Sequence, residues 1–288
     1  KFPMTPFELV EPRTLREAAG LLASEGASAC AMGGGTAIML MMKMGVLQPT
    51  QVVSLRGVER RYAEISGDDN RLNIGALATL SSLERSPIVQ SQAPVITRTL
   101  HTLSNVRVRN VATAGGHLAH ADPHMDLPPV LIALGATVST VDPKGERTLP
   151  LDQLYAGYLE TTLSREELIG QISVPAQGDR CAAYLKCTVR SADDWPALGV
   201  AVVLDMDGSL VRDARIVISA ATDVPTRLAT AEAVLSGSSV NDKLLREAGD
   251  AAASTVQLIG DEHGSAAYKR ELIRVYVPRA VRAALNEK

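Results

Sequence analysis

The spacing of apolar and polar residues divides the chain into three parts. In residues 1–57, apolar positions follow Thr14 at helical spacing, and Glu17 completes the pattern of a capping box. The other elements predicted here are a strand at 28–32, an apolar helix at 37–44 that Thr36 caps and Gly45 ends, and a strand at 51–55. This alternation of helix and strand predicts a small α/β unit.

In residues 58–177 the pattern changes to short strands. Two stretches flank the turn Gly67-Asp-Asp-Asn70 and predict a β-hairpin. A helix is predicted at 94–104, and further strands at 137–141 and 168–174. The middle part is therefore expected to be α+β with antiparallel pairing.

The last part, 178–288, follows a segment rich in helix and strand breakers at 175–179. Its predicted elements are a three-stranded meander at 182–189, 197–205 and 215–221 with a turn at Asp207-Gly208, then helices at 226–235, 242–258 and 268–285. Pro278 is expected to kink the last helix. At 288 residues, the α+β chain is long enough for two or three subdomains.

Two glycine-rich turns stand out: Gly33-Gly34-Gly35-Thr36 and Thr113-Ala-Gly115-Gly116. Without a Cβ atom, a main chain can approach phosphate oxygens closely and aim successive N–H groups at one anion. Neither turn fits the G-x-G-x-x-G or the G-x-x-x-x-G-K-[ST] pattern. Each one alone is also compatible with an ordinary strand-to-helix turn, but together they predict a cradle for the diphosphate of a dinucleotide.

Composition narrows the class of partner. The net charge is −3 and no basic run occurs, which argues against electrostatic binding to nucleic acid. The three cysteines, Cys30, Cys181 and Cys187, form no C-x-x-C pair, so a disulfide framework or a cysteine-bound cluster is not expected. We expect a cytoplasmic protein with no transmembrane segment, because the apolar run at 37–44 is short and no signal-peptide pattern is seen.

A cluster of histidines and acids follows the second glycine turn. His117, His120 and His124 alternate with Asp122 and Asp126, a composition that could bind a metal. The glycines and a proline in this segment argue against the helix that would place the histidines on one face. We therefore expect these side chains to line a cofactor, with Asp126 accepting from a ribose hydroxyl or an adenine amine.

Lys186 and Trp195 are the remaining candidates for cofactor contact. The only tryptophan of a chain with 3% aromatic residues is either a core filler or a plane beside a flavin ring. Lys186 is either a solvated strand residue or a cation at the flavin's pyrimidine edge, where negative charge develops on reduction. Spacing supports no catalytic nucleophile with a base, so no catalytic residue is assigned and the chemistry is expected to belong to the cofactor.

Three motifs resemble the FAD-binding medium subunit of the molybdenum hydroxylases, the family of xanthine dehydrogenase and carbon monoxide dehydrogenase, and they follow one another along the chain in the family's order. Residues 108–123, V-R-N-V-A-T-A-G-G-H-L-A-H-A-D-P, are similar to the family's I-R-N-x-A-T-I-G-G-N-L-x-x-A-x-P. The turn at 33–36 resembles its A-G-G-T loop, and residues 186–202 resemble its K…R…D-[YF]-x…V-A-V segment. The resemblance extends over nearly all of 5–286.

This resemblance implies the three-subdomain FAD-binding fold of the vanillyl-alcohol oxidase type, with subdomains 1–57, 58–177 and 178–288. FAD would lie between the first two. The implied contacts are Gly33, Gly34, Gly35, Thr36, Ala37, Thr113, Gly115, Gly116 and His117 to the pyrophosphate, Asp126 to the ribose or adenine, Leu103 and Ile169 beside the flavin or adenine, Lys186 at the flavin's polar edge, and Trp195 beside its ring. Ala37 stands where many relatives have Asp or Ser, His117 where Asn is common, and Trp195 where Tyr or Phe is usual.

The resemblance also implies partners. A small subunit with two [2Fe–2S] clusters would pass electrons to the FAD of this chain, and a large subunit with the molybdenum cofactor would hydroxylate the substrate. The complex would be a heterotrimer or a dimer of heterotrimers, and the FAD would deliver electrons to an external acceptor. Two alternatives stay open: a stand-alone FAD oxidase of the same fold, and a scaffold subunit that has lost the flavin, which Ala37 slightly favours.

Overall fold

The N-terminal part folds as the predicted α/β unit. The computed structural model describes residues 5–287, so the first four residues of the first predicted subdomain and the last residue of the third lie outside it. The elements are β1 (Glu8–Val10), α1 (Leu15–Glu25), β2 (Ala29–Met32), α2 (Ile38–Lys43) and β3 (Gln51–Ser54). The three strands form a parallel sheet in the order β1-β3-β2, with α1 packed against β2 and β3.

Local capping explains where these helices begin and end. The Thr14 hydroxyl accepts a hydrogen bond from the Glu17 N–H, and Gly26, with φ 57°, ends α1 as predicted. The Glu17 carboxylate accepts from the Arg13 N–H at 2.8 Å instead of completing the capping box. The predicted cap at Thr36 is wrong, because the N-cap of α2 is Ala37, which has no side chain able to accept.

The middle part contains a five-stranded antiparallel sheet in the order β4-β5-β10-β6-β7. Its elements are β4 (Ile65–Gly67), β5 (Arg71–Gly75), α3 (Leu80–Arg85), α4 (Pro87–Gln92), α5 (Pro94–His101), α6 (Val106–Arg109), α7 (Ala114–Ala119), α8 (Leu127–Leu134), β6 (Thr137–Val141), β7 (Glu146–Pro150), β8 (Tyr155–Gly157), β9 (Glu160–Thr161) and β10 (Leu168–Pro175). The predicted hairpin, α+β character and antiparallel pairing are confirmed.

The C-terminal part is a four-stranded antiparallel sheet followed by helices. Its elements are β11 (Cys181–Cys187), β12 (Leu198–Asp207), β13 (Leu210–Ser219), β14 (Thr226–Arg227), α9 (Ala229–Leu235), α10 (Asp242–Thr255) and α11 (Ala266–Asn286). The predicted three-stranded meander is confirmed as β11, β12 and β13. The prediction of a helix from 226 is wrong, because residues 226–227 form a short fourth strand beside β13 and the helix begins at Ala229. Pro278 lies inside α11.

Strand β12 shows how the parts are packed. Residues 198–204 are all buried, so both faces of this strand are covered. Ala201 and Val203 belong to the core shared with α8, whereas Val200 and Val202 belong to the core under α9–α11. Every residue of α8 is buried, and this helix contacts β12 and β13. The segment before α8 is therefore held against the C-terminal sheet.

Of the helices within residues 5–287, none combines the length and the apolar character needed to cross a lipid bilayer.

Replacing the Thr14 cap tests how α1 is held. Thr14→Ala removes the acceptor of the Glu17 N–H, and we expect the free energy of unfolding to fall by about 1 kcal/mol in urea titrations followed by circular dichroism. Ser24→Ala, at an exposed position of the same helix, is the control and should change it by less than about 0.5 kcal/mol. Equal effects of the two variants would contradict the capping role.

Candidate functional site

The two glycine turns, distant in sequence, lie in contact. A Cβ atom on Gly33 would lie 2.7 Å from the Thr113 Oγ1 atom, and one on Gly34 would lie 1.9 Å from the Val111 carbonyl oxygen. No residue other than glycine fits at position 34, because the obstacle is backbone. The fold therefore brings together the two loops that the sequence proposed for one diphosphate.

The first turn has hydrogen-bond donors to offer to a ligand. The N–H groups of residues 33–38 find no acceptor among the residues that the structure describes, although all of these residues except Thr36 are only partly exposed. Successive N–H groups that point into one concavity bind anions. The Thr36 side chain is exposed beside them.

The second turn is engaged within the protein. The N–H groups of Ala114 and Gly115 donate to Ala78 and Ala76 at 2.9 and 2.7 Å. Those of Gly116 and His117 donate to the hydroxyl and carbonyl oxygens of Thr113 at 3.2 and 2.9 Å. This turn supports the first one and presents the Thr113 hydroxyl, whereas its own N–H groups at 114–117 are not free as the sequence predicts.

The surroundings of the two adjacent glycines in the second turn differ. A Cβ atom on Gly115 would lie 2.6 Å from the Ala76 Cβ, so this position is closed by packing. Gly116 is exposed, and its Cβ would meet only the Thr113 hydroxyl, at 2.8 Å. Only Gly116 has an open side that a ligand can approach.

His117 is buried as a neutral imidazole. Burial, together with the nearby His120, lowers the pKa of His117 to about 3 against the opposing effect of Asp122. The His117 Nε2 atom is buried and has no hydrogen-bond partner among residues 5–287. A buried polar atom of this kind is normally satisfied, so a polar group of a ligand fits here.

Asp126 and Lys186 form a buried ion pair. The Lys186 Nζ atom lies 2.9 Å from Asp126 Oδ2, and the Tyr184 hydroxyl donates to Asp126 Oδ1 at 2.6 Å. Burial raises the pKa of Asp126, against the opposing effect of the Lys186 ammonium and the Tyr184 hydroxyl. Both carboxylate oxygens are thus already bonded to protein donors.

Lys186 has no donor left in this arrangement. Besides Asp126, its ammonium donates to the carbonyl oxygens of Thr102 and Asp194 at 2.8 and 3.0 Å, and its side chain is 6% exposed. The lysine is not the solvated residue of the alternative interpretation. The implied contacts of Asp126 with ribose or adenine and of Lys186 with flavin stay predictions. Each contact requires that one of the hydrogen bonds to protein groups be replaced by a hydrogen bond to the cofactor.

Trp195 is not a core filler, because it is 46% exposed. Its ring stacks on that of His124 at a centroid distance of 5.2 Å and an interplanar angle of 4°. The two ring nitrogens of His124 contact Asp122 and Asp261, at 2.8 and 2.9 Å. Sequence reasoning missed Asp261, because nothing in the local pattern shows that the loop after α10 reaches this site.

Leu103 and Ile169 both lie in the middle core, exposed by 4% and 7%. The carbonyl oxygen of Leu103 accepts from Arg109 at 3.1 Å, and Arg109 also pairs with Glu84 at 3.0 Å. This pair fixes the loop after α5. A contact of Leu103 or Ile169 with flavin or adenine stays a prediction.

Family comparisons agree with this arrangement. A family model described as the FAD binding domain in molybdopterin dehydrogenase matches residues 5–177, and one described as the CO dehydrogenase flavoprotein C-terminal domain matches residues 183–284. The chain belongs to this family of FAD-binding subunits. Its relatives are subunits of molybdenum-dependent oxidoreductases, so the chain is an oxidoreductase subunit with an FAD-binding domain.

Individual relatives match over nearly their whole length. The carbon monoxide dehydrogenase medium chain of Hydrogenophaga pseudoflava is 30% identical over 281 residues, which cover 96% of each chain. The glyceraldehyde dehydrogenase medium chain of Sulfolobus acidocaldarius is 29% identical over 275 residues, 95% of this chain and 96% of the relative. A chain in a structure of the Hydrogenophaga enzyme lacking the Mo-pyranopterin moiety superposes with a TM-score of 0.95 at 31% identity, covering 99% of both chains.

The neutral state of His117 predicts a dependence of stability on pH. Between pH 6.5, the ordinary pKa, and about pH 4 the unfolded chain gains a proton at this residue that the folded chain does not bind. This residue therefore lowers the free energy of unfolding by about 1.4 kcal/mol for each pH unit of acidification in that window. In His117→Asn, the change of the free energy of unfolding per pH unit, measured by urea titration at several pH values, should be smaller by that amount.

The exposed His101 supplies the control for this experiment. His101→Asn should leave the pH slope as it is in the unaltered protein. His120, whose pKa is also lowered by burial, keeps its own contribution in both variants. An unchanged slope in His117→Asn would mean that His117 is protonated in the folded chain.

Proposed function

We propose that this chain carries FAD in a complex of the molybdenum hydroxylase type and passes electrons from the [2Fe–2S] clusters of a small partner subunit to an external acceptor. The observation that carries the proposal is the run of unengaged N–H groups at 33–38, held against Thr113 of the second turn. Hydroxylation of the substrate would take place at the molybdenum cofactor of a large partner subunit. A dimer of heterotrimers is the assembly that we propose.

The proposed diphosphate contacts follow from the donors present. The N–H groups of 33–38 and the hydroxyls of Thr36 and Thr113 would face the phosphate oxygens, with the imidazole of His117 as a further polar partner. These are neutral donors, as suits a cradle built from the backbone. Ala37 adds its N–H but no side-chain contact, which agrees with its departure from many relatives.

The proposed flavin end is built around the Lys186 ammonium. FAD supplies a ring that takes up and releases electrons, and negative charge develops at its pyrimidine edge on reduction. A buried, fully hydrogen-bonded ammonium stabilises such charge far better than a solvated one. Lys186 would hold this edge and Trp195 would lie beside the ring, while Asp126 keeps the ammonium in place.

Two observations favour a subunit over a stand-alone oxidase. The chain covers 96% of the Hydrogenophaga relative, which is named as the medium chain of its enzyme. Apart from the ionic groups already paired, the site contains no side chain arranged as a nucleophile with its base.

The stoichiometry of FAD tests the proposal. The purified complex is expected to release about one FAD per copy of this chain on denaturation, measured by chromatography and absorbance. A complex that contains the other subunits and no FAD would overturn the proposal and would favour the flavin-less scaffold.

The Thr36 hydroxyl tests the place of the diphosphate. Thr36→Val keeps the shape of the side chain but removes a donor, so we expect the FAD dissociation constant of the complex to rise by about 2-fold to 10-fold, the effect of one net hydrogen bond. Titration of flavin fluorescence measures it. Thr50→Val, at another exposed threonine, is the matched control, and equal affinities of the two variants would place the diphosphate elsewhere.

A further inference from the structure

A buried ionic network lies outside the glycine turns. Lys269, with no exposed surface, donates to Asp261 Oδ2 and to the Ala220 carbonyl oxygen, both at 2.6 Å. Asp261 Oδ2 also contacts His124 Nε2 at 2.9 Å, and His124 Nδ1 contacts Asp122 Oδ1 at 2.8 Å. The network joins the turn before α8 to the loop between α10 and α11.

The geometry fixes the charge of His124. A carboxylate oxygen only accepts hydrogen bonds, so an imidazole whose two nitrogens both contact carboxylates must donate from both. The two aspartates and Lys269 leave one negative charge, which an imidazolium balances. Hydrogen bonds and charge from both aspartates raise the pKa of His124 against the lowering effect of its burial.

The other groups around the His124 ring are compatible with its positive charge. The His263 ring lies at 5.0 Å and is tilted by 57°, and its own Nε2 atom lies 3.6 Å from the Glu262 carboxylate. The charge of His124 lowers the pKa of Asp126, and that of His120 lowers the pKa of Asp122. The additional carboxylates add to the negative potential at the His124 ring.

Trp195 lies on the open face of this imidazole. Its indole is parallel to the ring within 4° and 5.2 Å away, inside the range in which a cation attracts the face of an aromatic ring. Trp195 itself is half-exposed, and its neighbours at 191–194 are exposed as well. The stack on His124 is thus a principal contact that orients the indole plane.

We propose that His124 is a positioning residue: its imidazolium, held between Asp122 and Asp261, fixes the plane of Trp195 at the place where this side chain is proposed to face the flavin. The flavin contact rests on the proposed function, whereas the charge and the stack belong to this chain alone. The network thereby links α11, through Lys269, to the orientation of the Trp195 ring.

The sign of the pH effect follows from the direction of the shift. Because the pKa of His124 is raised in the folded chain, the stabilisation from this cation is complete below pH 6.5 and is lost as the pH rises through the raised value. The orientation of Trp195 should loosen over the same range. A histidine whose pKa is lowered in the folded chain would give the opposite result, a loss of stability as the pH falls.

Trp195 reports on its own position, because it is the only tryptophan of the chain. An imidazolium in contact with an indole quenches its fluorescence more than a neutral imidazole does. We expect the emission of the FAD-free full chain to rise with pH, with a midpoint above 6.5. In Asp261→Asn or Asp122→Asn the midpoint should fall by about one unit or more, since an opposite charge has been removed.

Two histidine variants identify the group that titrates. His124→Gln should abolish the transition, whereas His263→Gln should retain it, with circular dichroism confirming the fold of each variant. The proposal is overturned if the unaltered chain shows no transition with a midpoint between about pH 6.5 and 9, or if His124→Gln keeps it. Asp122→Asn is the check on Asp261→Asn, because Asp261→Asn also removes the carboxylate that pairs with Lys269.

The FAD-loaded complex tests the step from the stack to the flavin. His124→Gln should shift the flavin absorption or its reduction potential while the FAD content stays unchanged, and unchanged values of both would overturn the positioning role. A complex without FAD would instead overturn the proposed function and leave the fluorescence result standing.

Discussion

The turn between α7 and α8 is the feature on which the rest of the site depends. Its carbonyl at Pro123 accepts from the Ala220 N–H at 2.7 Å, and its side chains at His124 and Asp126 bind partners from the C-terminal third. Removing one partner of a buried ion pair costs on the order of 3–5 kcal/mol, because the other charge is left uncompensated. The charges therefore hold this turn in one position.

The same constraint positions both ends of the proposed cofactor site. Before the turn lies α7, preceded by residues 111–113, which contact the glycine loop at 33–34, and immediately after the turn α8 is packed on β12 and β13. The proposed diphosphate cradle and the Lys186 ammonium are thus attached to one short stretch of chain. A shift of this stretch would move both, which is a physical reason for holding it with charges that are costly to separate.

Local signals were sufficient for many elements of the fold. The Thr14 cap, the Gly26 stop and the hairpin at Gly67 were predicted correctly, because each depends on residues a few positions apart. The cap at Thr36 failed because the chain leaves the glycine turn in a conformation that makes Ala37 the first capping residue. The strand at Thr226 was missed because it is only two residues long and is formed by pairing with Val217 and Ile218 of β13.

The sequence by itself determined the family, the α+β class and the presence of two glycine turns, since these are properties of motifs and local spacing. Only the tertiary structure decided what each polar group does. His117 and His124 are the same residue type in one short segment, yet one is neutral and the other is held as a cation. The difference is that His117 is buried without an acceptor, whereas His124 lies between Asp122 and Asp261, and the second of these is separated from it by 137 positions along the chain.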